Sequence, residues 1–211
     1  MLAMCRRFWI FEMAEPRIPI TVHPTRADKE IARAVARHTS PKTEDAAEFL
    51  TWGADEHILC ALAAGWWLLS REKSSGQRRN SDHVLLTTII VTVAPHLLKT
   101  IFNQERPDRT TIVGHFKGVP ISGKRLDAFP SGHAIHVGAL ASAAAELPRP
   151  QRNIVWGIGA GVVLTRIILL AHWTSDVLAG LAMGAGIERL LRLVTGYGRP
   201  AMRRRRGSAS S

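Results

Sequence analysis

From His83 onward the apolar residues fall into long runs separated by short charged or Pro/Gly segments. That is the patterning of helices that cross a bilayer rather than of a water-soluble globule. Runs at 83–102, 134–147, 153–171 and 176–194 predict four spans. A fifth, at 58–70, has only 13 residues and reaches spanning length if residues 46–53 extend it. Pro95 inside the first long run predicts a kink that neighbouring helices can accommodate. Gly157, Gly159, Gly161, Gly180, Gly184 and Gly186 in the last two runs suit close helix packing.

The first quarter is more polar. Phe8, Trp9 and Phe11 mix with charges and with Pro16, Pro19 and Pro24, which predicts an irregular arm at the membrane surface. Residues 28–38 place Ile31, Ala32, Val35 and Ala36 among Lys29, Arg33 and Arg37, an amphipathic period too short and too charged to span, and so a helix lying at the interface. A second helix is expected from Pro41, with Ser40 as its cap, and residues 71–82 read as a polar loop. The expected fold is therefore an all-α, multi-pass transmembrane bundle of about five spans plus an N-terminal interfacial amphipathic helix. Its parts are an arm with interfacial helices (1–56), a membrane domain (57–196) and a basic disordered tail (197–211).

Composition sharpens this picture in two ways. The net charge of +11 and the pI near 10.9 suit an anionic membrane surface or a phosphorylated ligand. Much of the excess flanks the apolar runs, as in Arg203, Arg204, Arg205 and Arg206, which favours headgroups over nucleic acid. Cys5 and Cys60 make neither a disulfide framework nor a thiolate metal site. No cleaved signal peptide is expected, because residues 1–20 lack an uninterrupted apolar core. If the basic segment at 71–82 is cytoplasmic, Arg149, Arg152 and the arginine tail fall on the same face. The polar residues of interest then collect on the external face.

Those residues are Lys99, Arg106, Ser131, Gly132, His133, Arg166, His172 and Asp176. Lys99 and Arg106 are seven apart and share a helix face if the helix continues to Pro107; together they supply a point charge and a planar fork for phosphate oxygens. Ser131 is a plausible cap for the following helix, where Gly132 lets an anion approach free backbone N–H groups. His133 in the first turn opposes the helix dipole unless an anion sits there. Arg166 lies amid Leu164, Ile167 and Ile168, where a guanidinium is expensive without a function. His172 and Asp176 have the spacing that lets a carboxylate accept an imidazole N–H and leave the other ring nitrogen free.

Lys99 with Arg106-Pro107, then Pro130-Ser131-Gly132-His133, then Thr165-Arg166 with His172 and Asp176, resembles the signature of the type 2 phosphatidic acid phosphatase superfamily, which includes bacterial lipid phosphatases and vanadium haloperoxidases. Every element appears in order, with Thr165 where that pattern has Ser. The resemblance implies an integral-membrane lipid phosphatase without metal or other cofactor. His172 is the implied nucleophile, oriented by Asp176, and His133 the acid and later the base. Lys99, Arg106, Arg166, Ser131 and Gly132 are implied to hold the phosphoryl oxygens. The implied partner is a lipid phosphate (phosphatidic acid, phosphatidylglycerol phosphate or a polyprenyl pyrophosphate) in a bacterial inner membrane, with the site on the periplasmic face. His115, Lys117, Lys124 and Arg125 are candidates for reading the substrate. Two other readings are a catalytically silent lipid-phosphate binder and a metal-handling transporter built on His133, His136, His172 and Asp176. The transporter leaves Lys99, Arg106 and Arg166 without purpose, since they would repel a cation.

Overall fold

The computed structural model describes residues 20–52, 55–110 and 125–198. The expectations for residues 1–19, for His115, Lys117 and Lys124, and for the arginine tail lie outside the described residues.

After a two-residue strand, β1 (Ile20–Thr21), the chain forms α1 (Arg26–His38), α2 (Pro41–Trp52) and α3 (Glu56–Leu69). Thr25 and Asp28 form a reciprocal capping box that starts α1. The hydroxyl of Ser40 accepts the Thr43 N–H at the start of α2. The longest helix follows, α4 (Ser75–Ile101), then β2 (Phe102–Asn103), the single turn α5 (Pro107–Thr110), and α6 (Gly132–Ala144), α7 (Arg149–Ile168) and α8 (Thr174–Thr195).

Two expectations change here. The segment read as a loop at 71–82 is helical from Ser75, because Ser74 caps the Gln77 N–H and the polar residues that follow can lie outside the apolar layer. The helix carrying Lys99 stops at Ile101 rather than reaching Pro107. Phe102 and Asn103 instead pair in parallel with Ile20 and Thr21, so Lys99 and Arg106 do not share a helix face.

The bundle is built around α6 and α8, which run parallel and close together. A Cβ on Gly184 would overlap the carbonyl of Ile135, and one on Gly138 would overlap that of Leu181; only glycine permits this approach. Gly180 and Gly159 are also crowded, as their spacing suggests, whereas Gly157, Gly161 and Gly186 face open space. Small and polar side chains fill much of the interior around a few large ones such as Ile135, Leu170 and Trp173, while many large apolar side chains point outward. Leu97, Leu178, Leu190 and Leu193 are each more than 60% exposed, the reverse of a water-soluble bundle. Among the described residues α4 is long and apolar enough to cross a bilayer by length and composition.

The two ends of the bundle differ in chemistry. Where α4 begins and α6 and α8 end, His83 and Glu188 are fully buried with Nε2 and Oε1 3.0 Å apart, and Ser142 and Arg192 also bond Glu188 at 2.6 Å. Tyr197 stacks on His83 at 4.2 Å. A buried polar network with every member paired fixes helix register. The opposite end holds the sequence-predicted site.

Candidate active site

Four segments meet at that end, and the backbone explains why. Residues 102–108 are hydrogen-bonded on both sides. Val22 N–H donates to Asn103, Gln104 N–H to Leu126 and Arg106 N–H to Arg125, while Ala128 N–H returns to Gln104 and Asp108 N–H reaches Leu170. Arg106, 4% exposed, is thereby held inside. Its Nε donates to Asp127 Oδ1 at 2.9 Å and its Nη1 to the Ala171 carbonyl at 3.3 Å. Lys99 Nζ, coming from the end of α4, reaches Asp127 Oδ2 at 3.4 Å. The two cations thus converge from different segments on one carboxylate, next to the chain that leads into Ser131 and His133.

Ser131 occupies the N-cap of α6, but its hydroxyl makes no capping bond. Its Oγ is buried and has no hydrogen-bond partner, and the same holds for Nε of Arg166. Such groups are costly unless a ligand completes them. Gly132 packs against Pro95 of α4. His133 is half-buried at the start of α6 and lies within electrostatic reach of Arg166 and Lys99.

The turn between α7 and α8 aims His172. α7 ends at Ile168, and Leu170 takes a left-handed φ of 49°, a conformation that costs a non-glycine residue about 1–3 kcal/mol. Burial of Leu170 against Ala32, Ala36, Ala128 and Trp173 holds it there. The Ala171 and His172 N–H groups fold back onto the Arg166 carbonyl. The His172 side chain is then 4% exposed, with Nδ1 2.6 Å from the Ala128 carbonyl oxygen. A carbonyl only accepts, so Nδ1 carries the proton and Nε2 keeps its lone pair. Burial first, then the charges of Arg166, Arg106 and Lys99, hold the imidazole well below its ordinary pKa.

Asp176 does not touch that ring. Because α8 begins only at Thr174, His172 precedes the helix and a one-turn spacing no longer stacks the two side chains. Asp176 instead accepts the Trp173 N–H at 2.9 Å. With the Gln104 amide nitrogen turned toward it, that nitrogen lies 2.6 Å from Oδ1. Asp176 therefore ties the residue after β2 to the start of α8 and steadies the residue after His172. The hydroxyl of Thr165 is also engaged elsewhere, 2.6 Å from that of Thr51 on α2 and donating to Val162 within α7. His136 Nε2 lies 3.4 Å from Thr92 Oγ1 on α4, and Arg125 pairs with Glu105.

Sequence reasoning missed Asp127, Gln104, Asp28 and the Ala128 carbonyl. Asp127 lies three residues before Pro130 and could have been noticed as the carboxylate nearest the motif. A backbone carbonyl leaves no sequence signal, and Asp28 acts from far along the chain: its carboxylate accepts the Ser175 N–H at 2.9 Å and hydroxyl at 2.8 Å. Burial works to raise the Asp28 carboxyl, but the bonds from Ser175 and Thr25 outweigh it and the net shift is downward.

The chain belongs to the PAP2 superfamily, whose family model matches residues 83–199. It is 34% identical over 113 residues to a lipid A 1-phosphatase of Rhizobium johnstonii, covering 53% of this chain and 46% of that one. It is 36% identical over 112 residues to a lipid A 1-phosphatase of Rhizobium etli, covering 52% and 48%. The chain spans about half the length of these curated relatives. In fold it is similar to the crystal structure of a transmembrane PAP2-type phosphatidylglycerolphosphate phosphatase from Bacillus subtilis. The TM-score is 0.55 at 18% identity, over 81% of this chain and 85% of that one.

Proposed function

We propose that this protein is an integral-membrane lipid phosphatase that hydrolyses a phosphomonoester or pyrophosphate of a lipid through a phosphohistidine. The observation that carries the proposal is the meeting of Lys99, Arg106 and Arg166 with two unpartnered polar groups, Ser131 Oγ and Arg166 Nε, beside an imidazole whose Nδ1 is tied to Ala128. Three cations with these two unpartnered groups match the charge of a phosphoryl group in transit.

In the first step His172 Nε2 attacks phosphorus, the bond to the leaving oxygen breaks, and His133 donates a proton to that oxygen. In the second step His133 takes a proton from water, the hydroxyl oxygen attacks the phosphohistidine, and inorganic phosphate leaves with His172 restored. Burial first, and then the positive charge around His172, favours the neutral, nucleophilic ring before attack. Lys99, Arg106, Arg166, Ser131 and the Gly132 N–H hold the equatorial oxygens, while Asp176 acts through Trp173 and Gln104.

The membrane arrangement proposed with this is five crossings, α3, α4, α6, α7 and α8, with α1 at the interface and the reaction on the external face. At 1.5 Å per residue, α7 and α8 measure about 30 and 33 Å, close to the thickness of a hydrocarbon core. Arg71, Arg78, Arg149 and Arg152 lie at the end away from the site, which supports that end as cytoplasmic. Substrate candidates are phosphatidic acid, polyprenyl pyrophosphate, phosphatidylglycerol phosphate and lipid A 1-phosphate, the last two suggested also by the names of the similar proteins.

The test is a phosphate-release panel over these lipids in detergent, with His172→Asn as the blank. At least one lipid is expected to be hydrolysed, and the variant is expected to lose turnover while remaining folded and membrane-inserted. Comparable activity in His172→Asn overturns the mechanism.

A further inference from the structure

The connection that carries His172 is held by α1 and α2 as well as by its own turn. α8 starts without a side-chain cap: its N-cap residue is Trp173, whose side chain makes no capping bond. The free N–H groups around its first turn therefore need acceptors from elsewhere. Asp176 takes that of Trp173. That of Ser175 is taken by Asp28 of α1 at 2.9 Å, and the same carboxylate accepts the Ser175 hydroxyl at 2.8 Å.

Asp28 also closes the capping box of α1, accepting the Thr25 N–H at 2.9 Å and hydroxyl at 2.7 Å. One buried carboxylate thus caps two helices. Four donors converge on it, which an ionised carboxylate can satisfy and an amide cannot. Turned either way, an amide would set its NH2 against a backbone N–H. One and two turns further along α1, Ala32 and Ala36 pack on Leu170 and Trp173, which flank His172. α2 grips the other side of the connection. Ala47 packs on Leu169 and Ala171, and the Thr51 hydroxyl lies 2.6 Å from that of Thr165, the residue before Arg166. All the gripping residues precede the family match, which begins at residue 83.

We propose that residues 26–52 form a brace for the reacting imidazole, with Asp28 as the positioning residue that sets the start of α8 and, through it, the place of His172. This deepens the phosphohistidine reading and rests on it. Lys99, Arg106, Ser131 and Gly132, which hold phosphoryl oxygens in that reading, lie on segments that Asp28 does not bond. Releasing Asp28 from Ser175 therefore costs rate rather than affinity. A nucleophile displaced by about 1 Å loses on the order of 100-fold in turnover while the oxygens stay held. A carboxylate that only stabilised the fold would lower the melting temperature and leave kcat of the folded enzyme alone.

The test compares Asp28→Asn with Glu30→Gln, a change at an exposed carboxylate of the same helix, in the full chain in detergent and below the melting temperature of each. The substrate is the lipid phosphate of the phosphate-release panel that the wild type turns over fastest. Asp28→Asn is expected to lower kcat by about 10- to 100-fold with KM held within about twofold, and Glu30→Gln to match the wild type. In nitrogen-15 histidine NMR the His172 Nδ1 signal, assigned by its loss in His172→Asn, is expected to shift or broaden in Asp28→Asn and to stay in place in Glu30→Gln. A folded Asp28→Asn whose kcat stays within about twofold of wild type, or whose His172 signal is unmoved, overturns the brace and leaves the phosphatase reading standing. If Asp28→Asn does not fold, Ser175→Ala decides instead, because it removes only the 2.8 Å hydroxyl bond. It is expected to lower kcat by about threefold or more with KM unchanged, and a wild-type kcat overturns the brace. A wild type that turns over no lipid phosphate overturns the phosphatase reading, and the His172 signal alone then decides whether Asp28 positions the ring.

Discussion

Under the proposed mechanism, a substrate phosphate held by Lys99 and Arg106 competes with Asp127 for both cations. Its Oδ1 accepts from Arg106 Nε at 2.9 Å and its Oδ2 lies 3.4 Å from Lys99 Nζ. The Arg106 side chain is 5% exposed and that of Asp127 21%, so water screens their pairing only in part. A hydrogen bond between charged groups in that setting is worth about 1.5–3 kcal/mol. The longer Lys99 contact, with both partners partly exposed, contributes less than about 1 kcal/mol. Asp127→Asn keeps the shape, removes the charge and leaves Lys99 and Arg106 without their shared carboxylate. An incoming phosphate then no longer competes with a resident carboxylate. Regaining about 1.5–3 kcal/mol corresponds to roughly 10- to 150-fold tighter binding. The assay is the inhibition constant for orthovanadate, which mimics the transferring group, measured in phosphate release, with a thermal melt to establish that the variant is folded. Tighter inhibition is expected alongside a lowered melting temperature. An inhibition constant that is unchanged or weaker in a folded variant refutes the view that Asp127 and phosphate share the same cations.

Two further outcomes follow from packing and charge. Gly184→Ala drives a methyl group into the Ile135 carbonyl at the α6–α8 contact and is expected to destabilise the bundle by about 1–3 kcal/mol. Gly186→Ala, two residues on with open space around it, is expected to be neutral or stabilising by up to about 1 kcal/mol; equal melting temperatures for the two contradict the packing account. His172 is held well below its ordinary pKa of 6.5 by burial and three cations, so its ring stays neutral as pH falls through 6.5. Nitrogen-15 histidine NMR, assigned by loss of the signal in His172→Asn, checks this, and protonation centred near 6.5 contradicts it.

The apolar runs and the spacing of charged residues made the long helices and nearly all the candidate side chains legible. What could not be read were features fixed by tertiary partners. The polar start of α4 looked like a loop because charge was taken to mean irregular chain, whereas Ser74 needed only one cap bond to begin a helix outside the apolar layer. Seven-residue spacing suggested one face for Lys99 and Arg106, but Ile20 and Thr21, some eighty residues earlier, claimed the backbone between them. The His172–Asp176 spacing had meaning only within a helix, and the turn at Leu170 put His172 just outside it. Ala128 orients the imidazole through its backbone, which no side-chain pattern announces.

Whether His172 is the nucleophile is tested most directly by quenching the enzyme during turnover of a lipid phosphate that it cleaves and mapping the phosphorylated residue by mass spectrometry under alkaline conditions. The account predicts an acid-labile phosphoryl group on the peptide containing His172, formed within one turnover and absent from His172→Asn. A phosphoryl group on any other residue, or rapid turnover through no phosphoenzyme at all, would contradict it.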